Sequence, residues 1–127
     1  MEWEEAKDVR RDIKQILKRV SLPHIRIERV FVYRTHGSKA RAYARTWGFP
    51  KIFQEALSVE PAYVIEVLSQ YYDKLSDDKK TEVLIHELLH IPKNFSGALL
   101  PHQNKSHHIN SLAKQLFKEY KKKASKS

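Results

Sequence analysis

The sequence predicts an α+β domain: a small, mainly antiparallel sheet of about three strands packed against an N-terminal helix, a central helix and a C-terminal helix. Three observations carry that prediction. Apolar residues recur at helical spacing near both ends of the chain and again ahead of Pro92; β-branched and aromatic runs occupy the interval between; no linker or internal repeat divides the 127 residues. A chain of this length supports one modest core, so a single domain is expected over residues 1–120, followed by a basic flexible tail at 121–127.

The elements follow in order. Trp3, Ala6, Val9, Ile13, Ile16, Leu17 and Val20 line one face of a helix over residues 2–20, ended near Ser21-Leu22-Pro23. Residues 25–33 alternate partly and are β-branched, which reads as a strand, with His36-Gly37-Ser38-Lys39 as its turn. A second strand is expected over 42–52, irregular or at an edge because of Gly48 and Pro50. Residues 62–68 form a third. Ser76 followed by Asp77 and Asp78 marks a helix start, and Pro92 stops that helix near Ile91. A loop containing Gly97 covers 93–103. Ile109, Leu112, Ala113, Leu116, Phe117 and Tyr120 then mark the last helix.

Composition narrows the chemistry. Cysteine is absent, so disulfides, thiol nucleophiles and thiolate metal sites are excluded. No apolar run is long enough to span a bilayer, and the acidic N-terminus lacks the layout of a secretory signal; the expected location is the cytoplasm, with no membrane partner. One Met and many Lys and Glu lean toward a thermophile. The net charge of +9 is uneven: +1 over 1–23, +6 over 24–51, −5 over 52–92 and +7 over 93–127. Two basic segments around an acidic middle suggest an anionic partner such as nucleic acid. The contacts expected for it are Arg34, Lys39, Arg41 and Arg45, with Lys121, Lys122 and Lys123 in the tail.

The chemistry concentrates at His86-Glu87-Leu88-Leu89-His90. Residues four apart share a helix face, so both imidazoles can meet one metal, while Glu87 projects about 100° round, beside the ion. Two neutral imidazoles suit Zn²⁺, one per chain, and a catalytic zinc takes three protein ligands and a water whose proton Glu87 would accept. The third ligand must come from elsewhere. His102 is selected because the intervening loop can return it to the metal, with His108 as the alternative, either as ligand or as a donor to the tetrahedral intermediate. His107 falls toward solvent; His24 and His36 read as structural or exposed loop residues.

The run from His86 to Pro92, followed by Phe95-Ser96-Gly97-Ala98-Leu99 and Pro101-His102, resembles a family of predicted archaeal and phage metallopeptidases. The resemblance covers residues 80–110, with weaker agreement at Tyr63-Val64-Ile65-Glu66. It implies a minimal zincin-like domain with a zinc site made by His86, His90 and His102 and served by Glu87. The segment is similar, more distantly, to SprT-like and Spartan-type proteases, which act on DNA-crosslinked proteins. It lacks the Gly that commonly adjoins their later histidine, and their zinc-ribbon cysteines. A fold of this kind places a strand edge along its cleft for a peptide or protein substrate; Tyr63, Val64, Ile65 and Glu66 are the expected edge. Two other readings keep the metal: a basic metallo-nuclease acting on RNA, and a nucleic-acid-binding module with a structural zinc.

Overall fold

The computed structural model describes all residues except 102, 105, 106 and 127. Among the described residues the main sheet has four strands in the order β1-β2-β4-β3: β1 (Glu2–Glu5), β2 (Val30–His36), β3 (Ala44–Gly48) and β4 (Tyr63–Leu68). β1 pairs antiparallel with β2, β2 parallel with β4, and β4 antiparallel with β3. The sheet is therefore mixed, and two of its three pairings are antiparallel.

Helices α1 (Lys7–Arg19), α4 (Asp77–Leu88) and α5 (Ile109–Lys126) pack against one another and close one face of this sheet, as the helical spacings predict. Val9, Ile13 and Ile16 of α1, Val30 and Val32 of β2, Ile65 and Val67 of β4, and Leu84, Ile85 and Leu88 of α4 share one buried core, joined by Ala113 of α5. Two short helices, α2 (Lys51–Leu57) and α3 (Ser69–Tyr72), flank β4 in sequence, and a two-residue ladder, β5 (Gln103–Asn104) with β6 (His107–His108), precedes α5.

Several boundaries differ from expectation, each for a physical reason. Glu2–Glu5 is a strand: Trp3 does not join the buried face of α1 and is 65% exposed, while its backbone registers against Thr35. The first expected strand starts later, at Val30, after a 3₁₀ turn at Ile27–Arg29. Pro50 cannot donate to a ladder, so β3 stops short of it, and its fixed φ of −55° opens α2 instead. α4 ends at Leu88 because Pro92 forbids a further α-turn; the chain tightens to His90 N–Glu87 O and Ile91 N–Leu88 O bonds, both 3.1 Å. α5 starts at Ile109, after the β5–β6 ladder, and continues through Lys126. Residues 121–126 of the segment expected as a flexible tail are thus helical, and Lys121 is tied to Asp78 at 3.0 Å.

Candidate metal centre and active site

Helix α4 builds the site. Ser76 caps it by accepting the Lys79 N–H at 3.2 Å, and Asp77 and Asp78 meet the positive end of its dipole. Val83, Leu84, Ile85 and Leu88 anchor it in the core, which fixes the rotation that brings His86 and His90 together. Their ring centroids lie 5.1 Å apart, and ligand atoms of His86, Glu87 and His90 all fall within 4.8 Å of one another. Two imidazoles and a carboxylate at this spacing are a donor set that fits a divalent transition metal.

The chain orients each member. His90 Nδ1 lies 2.6 Å from the Leu100 carbonyl oxygen, which only accepts; the proton is therefore on Nδ1, and Nε2 carries the lone pair a metal requires. Leu100 N donates in turn to the His90 carbonyl at 2.7 Å, so the two residues clamp each other. Glu87 is buried, which pushes its carboxyl up to about 7, partly offset by the Thr46 hydroxyl. Thr46 Oγ1 stands 2.9 Å from Glu87 Oε1 and 3.1 Å from the Glu87 carbonyl, linking strand β3 to the metal helix. Neither Thr46 nor the Leu100 carbonyl was visible in the sequence, since no local spacing couples 46 to 87 or 90 to 100. Thr46→Val is expected to lower turnover about tenfold, the worth of one hydrogen bond to a charged group, with Thr46→Ser near wild type; steady-state kinetics of the three proteins checks it.

The loop that carries Leu100 is seated by backbone packing. A Cβ at Gly48 would lie 2.1 Å from the Gly97 carbonyl oxygen, and one at Gly97, whose φ is +99°, would lie 2.3 Å from the Phe49 carbonyl oxygen. Gln54 Nε2 donates to the Phe49 and Ser96 carbonyls, both at 2.8 Å. Tyr63 OH donates to Ala98 O and accepts from Gly97 N, again both at 2.8 Å, and its ring meets buried Phe95 edge-on.

Two hollows flank Glu87. One, of about 380 Å³, is lined by Tyr43, Ala44, His86, Glu87 and residues of α5. The other, of about 640 Å³, runs along Ala44, Arg45, Thr46 and Trp47, with Leu99, Leu100 and Pro101 as its far wall and Glu87 and His90 at its floor. Four consecutive residues from both faces of β3 line it, which is how a hollow looks when it wraps a free strand edge. The expected edge strand is corrected here: Tyr63, Val64, Ile65 and Glu66 lie in β4, paired on both sides by β2 and β3, so β4 has no edge to offer. The strand beside the metal helix is β3.

The remaining expected residues are scattered. His102 lies outside the described residues; His108 is exposed in β6, just before α5, and among the described residues the metal-compatible cluster contains only His86, Glu87 and His90. His24 bonds the Ile91 carbonyl at 3.1 Å, and His36 meets Glu4 at 2.9 Å. Lys39, Arg41, Lys122 and Lys123 are exposed. Arg34 is not: it is 14% exposed and held by Asp8 at 2.9 Å and Asp73 at 3.1 Å, because burial beside the helices demands paired charges. Arg45 is engaged by Glu66 at 3.1 Å. Burial pushes the Glu66 carboxyl up, but the Thr35 hydroxyl, the Trp47 indole, Arg45 and the Trp3 indole together hold it below the usual range.

Hydrogen bonding to Arg34 holds the Asp8 carboxyl below its ordinary 3.8. A lowered folded pKa means that this pair stabilises the fold above pH 3.8 and stops doing so as pH falls through the lowered value. Thermal midpoints of wild type and Arg34→Gln should therefore converge in acid and separate toward neutrality.

No described helix is long and apolar enough to cross a membrane. A family model described as "Putative phage metallopeptidase" matches residues 1–121. No curated protein and no solved structure matches the chain.

Proposed function

The chain belongs to that phage metallopeptidase family, and from this premise we propose that it is a zinc peptidase that hydrolyses an extended polypeptide laid along the free edge of β3. The observation that carries the reading is the placement of Glu87: a buried carboxylate beside two imidazoles, opening onto a hollow that follows a strand edge. Zinc held by His86 and His90, with a further ligand for which His102 is our candidate, would supply a Lewis acid and an acidified water.

The chain's own groups supply the rest. Thr46 holds Oε1 of Glu87, so Oε2 is the atom placed to take the proton of the attacking water and return it to the leaving amine. Backbone N–H and C=O groups on the outer edge of β3 bind the substrate backbone as an added strand, and alternate substrate side chains fall to the Thr46 side and the Trp47 side. The test is cleavage of an unfolded, casein-like protein by the metal-loaded chain. Cleavage should stop on chelation and return with zinc; a loaded chain that leaves such substrates intact would overturn the reading.

A further inference from the structure

The sheet face away from the helices is uncovered, and it is aromatic. Phe31, Trp3 and Trp47, on three different strands, are 40%, 65% and 51% exposed, and Tyr33 lies among them. Register places Phe31 and Trp47 on either side of Val64, and two hollows of about 650 and 450 Å³ meet along the Trp47–Val64 ridge. Both exposed indoles have a fixed hydrogen-bond partner. Trp47 Nε1 donates to Glu66 Oε1 at 2.8 Å and Trp3 Nε1 to Oε2 at 3.4 Å, so a carboxylate that is 4% exposed holds both rings on the surface.

The polar groups at this face select the partner. Glu66 is consumed by the two indoles, by Thr35 and by Arg45, and so offers no acceptor. Two guanidinium groups stand over the rings: that of Arg45, which also pairs with Glu66, lies 5.2 Å over Trp47, and that of Arg29 lies 5.8 Å over Phe31. Lys51 follows β3 at one end, and Lys39 and Arg41 lie in the segment between β2 and β3 at the other; the far-edge strand β1 carries Glu2, Glu4 and Glu5, of which Glu5 shares the face of Trp3 opposite Tyr33. Flat π-surfaces interleaved with cations, spread over roughly the 20 Å length of a seven-residue strand, match stacked bases with phosphates between them.

We propose that this face binds single-stranded nucleic acid, with Trp3, Phe31 and Trp47 as stacking platforms and Arg29 and Arg45 as their cations. The surface shares Arg45 and Trp47 with the rim of the β3 hollow but none of His86, Glu87 and His90, and the proposal stands whether or not the chain is a peptidase. The test is to titrate the full chain with a short oligothymidylate, following tryptophan emission and anisotropy at several salt concentrations. Quenching is expected, with an affinity that weakens as salt rises. Phe31→Leu, which keeps apolar volume at a residue that makes no side-chain hydrogen bond, should weaken binding about 5- to 100-fold, as should Trp47→Ala; circular dichroism verifies that each variant is folded. Lys118→Gln, at an exposed position of α5, should bind as wild type. Unchanged affinity in folded Phe31→Leu overturns the proposal. So does an unfolded, carboxymethylated protein that quenches the tryptophans while oligothymidylate does not, which would mark the face as a polypeptide dock.

Discussion

Replacing Glu87 by Gln is expected to lower kcat for peptide hydrolysis by about 10²- to 10⁴-fold while metal content stays unchanged. The two halves of this result come from different atoms. His86 on α4 and His90 in the turn that follows it keep their positions and their imidazoles, and the Leu100 carbonyl still sets the His90 tautomer. Gln fills the volume of Glu87 and can still bond Thr46 through its amide oxygen, so the buried pocket needs no repacking. What is lost is the carboxylate of the cluster, which burial places near neutrality. KM should change little, because Glu87 meets the water rather than the substrate backbone. The measurement is steady-state cleavage alongside metal analysis of the same preparation. Undiminished activity at full metal occupancy would remove Glu87 from the role of base.

Gly97→Ala is expected to cost about 2–4 kcal/mol of stability and to weaken metal binding by roughly 10- to 100-fold. The stability loss has two sources: a left-handed backbone that alanine resists, and a new methyl driven into the Phe49 carbonyl, a backbone atom that cannot rotate away. Against a typical total of roughly 5–15 kcal/mol, this is a large fraction. The metal effect is indirect. Moving residue 97 off Gly48 displaces the loop three residues ahead of Leu100, and with it the carbonyl that orients His90. Denaturant unfolding reads the first effect and competition with a chelating dye the second. Gly48→Ala attacks the same contact from the strand side and should reproduce both. A stable Gly97→Ala protein with wild-type metal affinity would show that the loop does not position His90.

The comparison between the two glycines and the histidine motif shows where sequence reading reaches. His86, Glu87 and His90 are related by helical periodicity, a property of a few neighbouring residues, so their meeting at one point follows from spacing alone. The Ser76 cap, the buried stripe of α1 and the Pro92 stop are local in the same sense. α2 departs from the strand expected over 42–52 although its signal is in the sequence: Pro50 ends a strand and opens a helix equally well. β1 was missed because Trp3 and Ala6 extend the helical spacing of α1 by chance, and only the unpaired edge of β2 makes a strand of Glu2–Glu5.

The sequence by itself therefore determined the donor set: which helix presents it, which carboxylate stands beside the two imidazoles, and that no thiolate takes part. The tertiary structure decided everything that depends on which strand lies beside which. It moved the free edge from Tyr63–Glu66 to Ala44–Gly48, brought Thr46 to Glu87 and Leu100 to His90, and withdrew Arg34 into an ion pair. It also left an aromatic sheet face uncovered. The physical reason is that period and capping act over one or two helical turns, whereas strand order is set by closing the core across the whole chain, and no residue spacing records it.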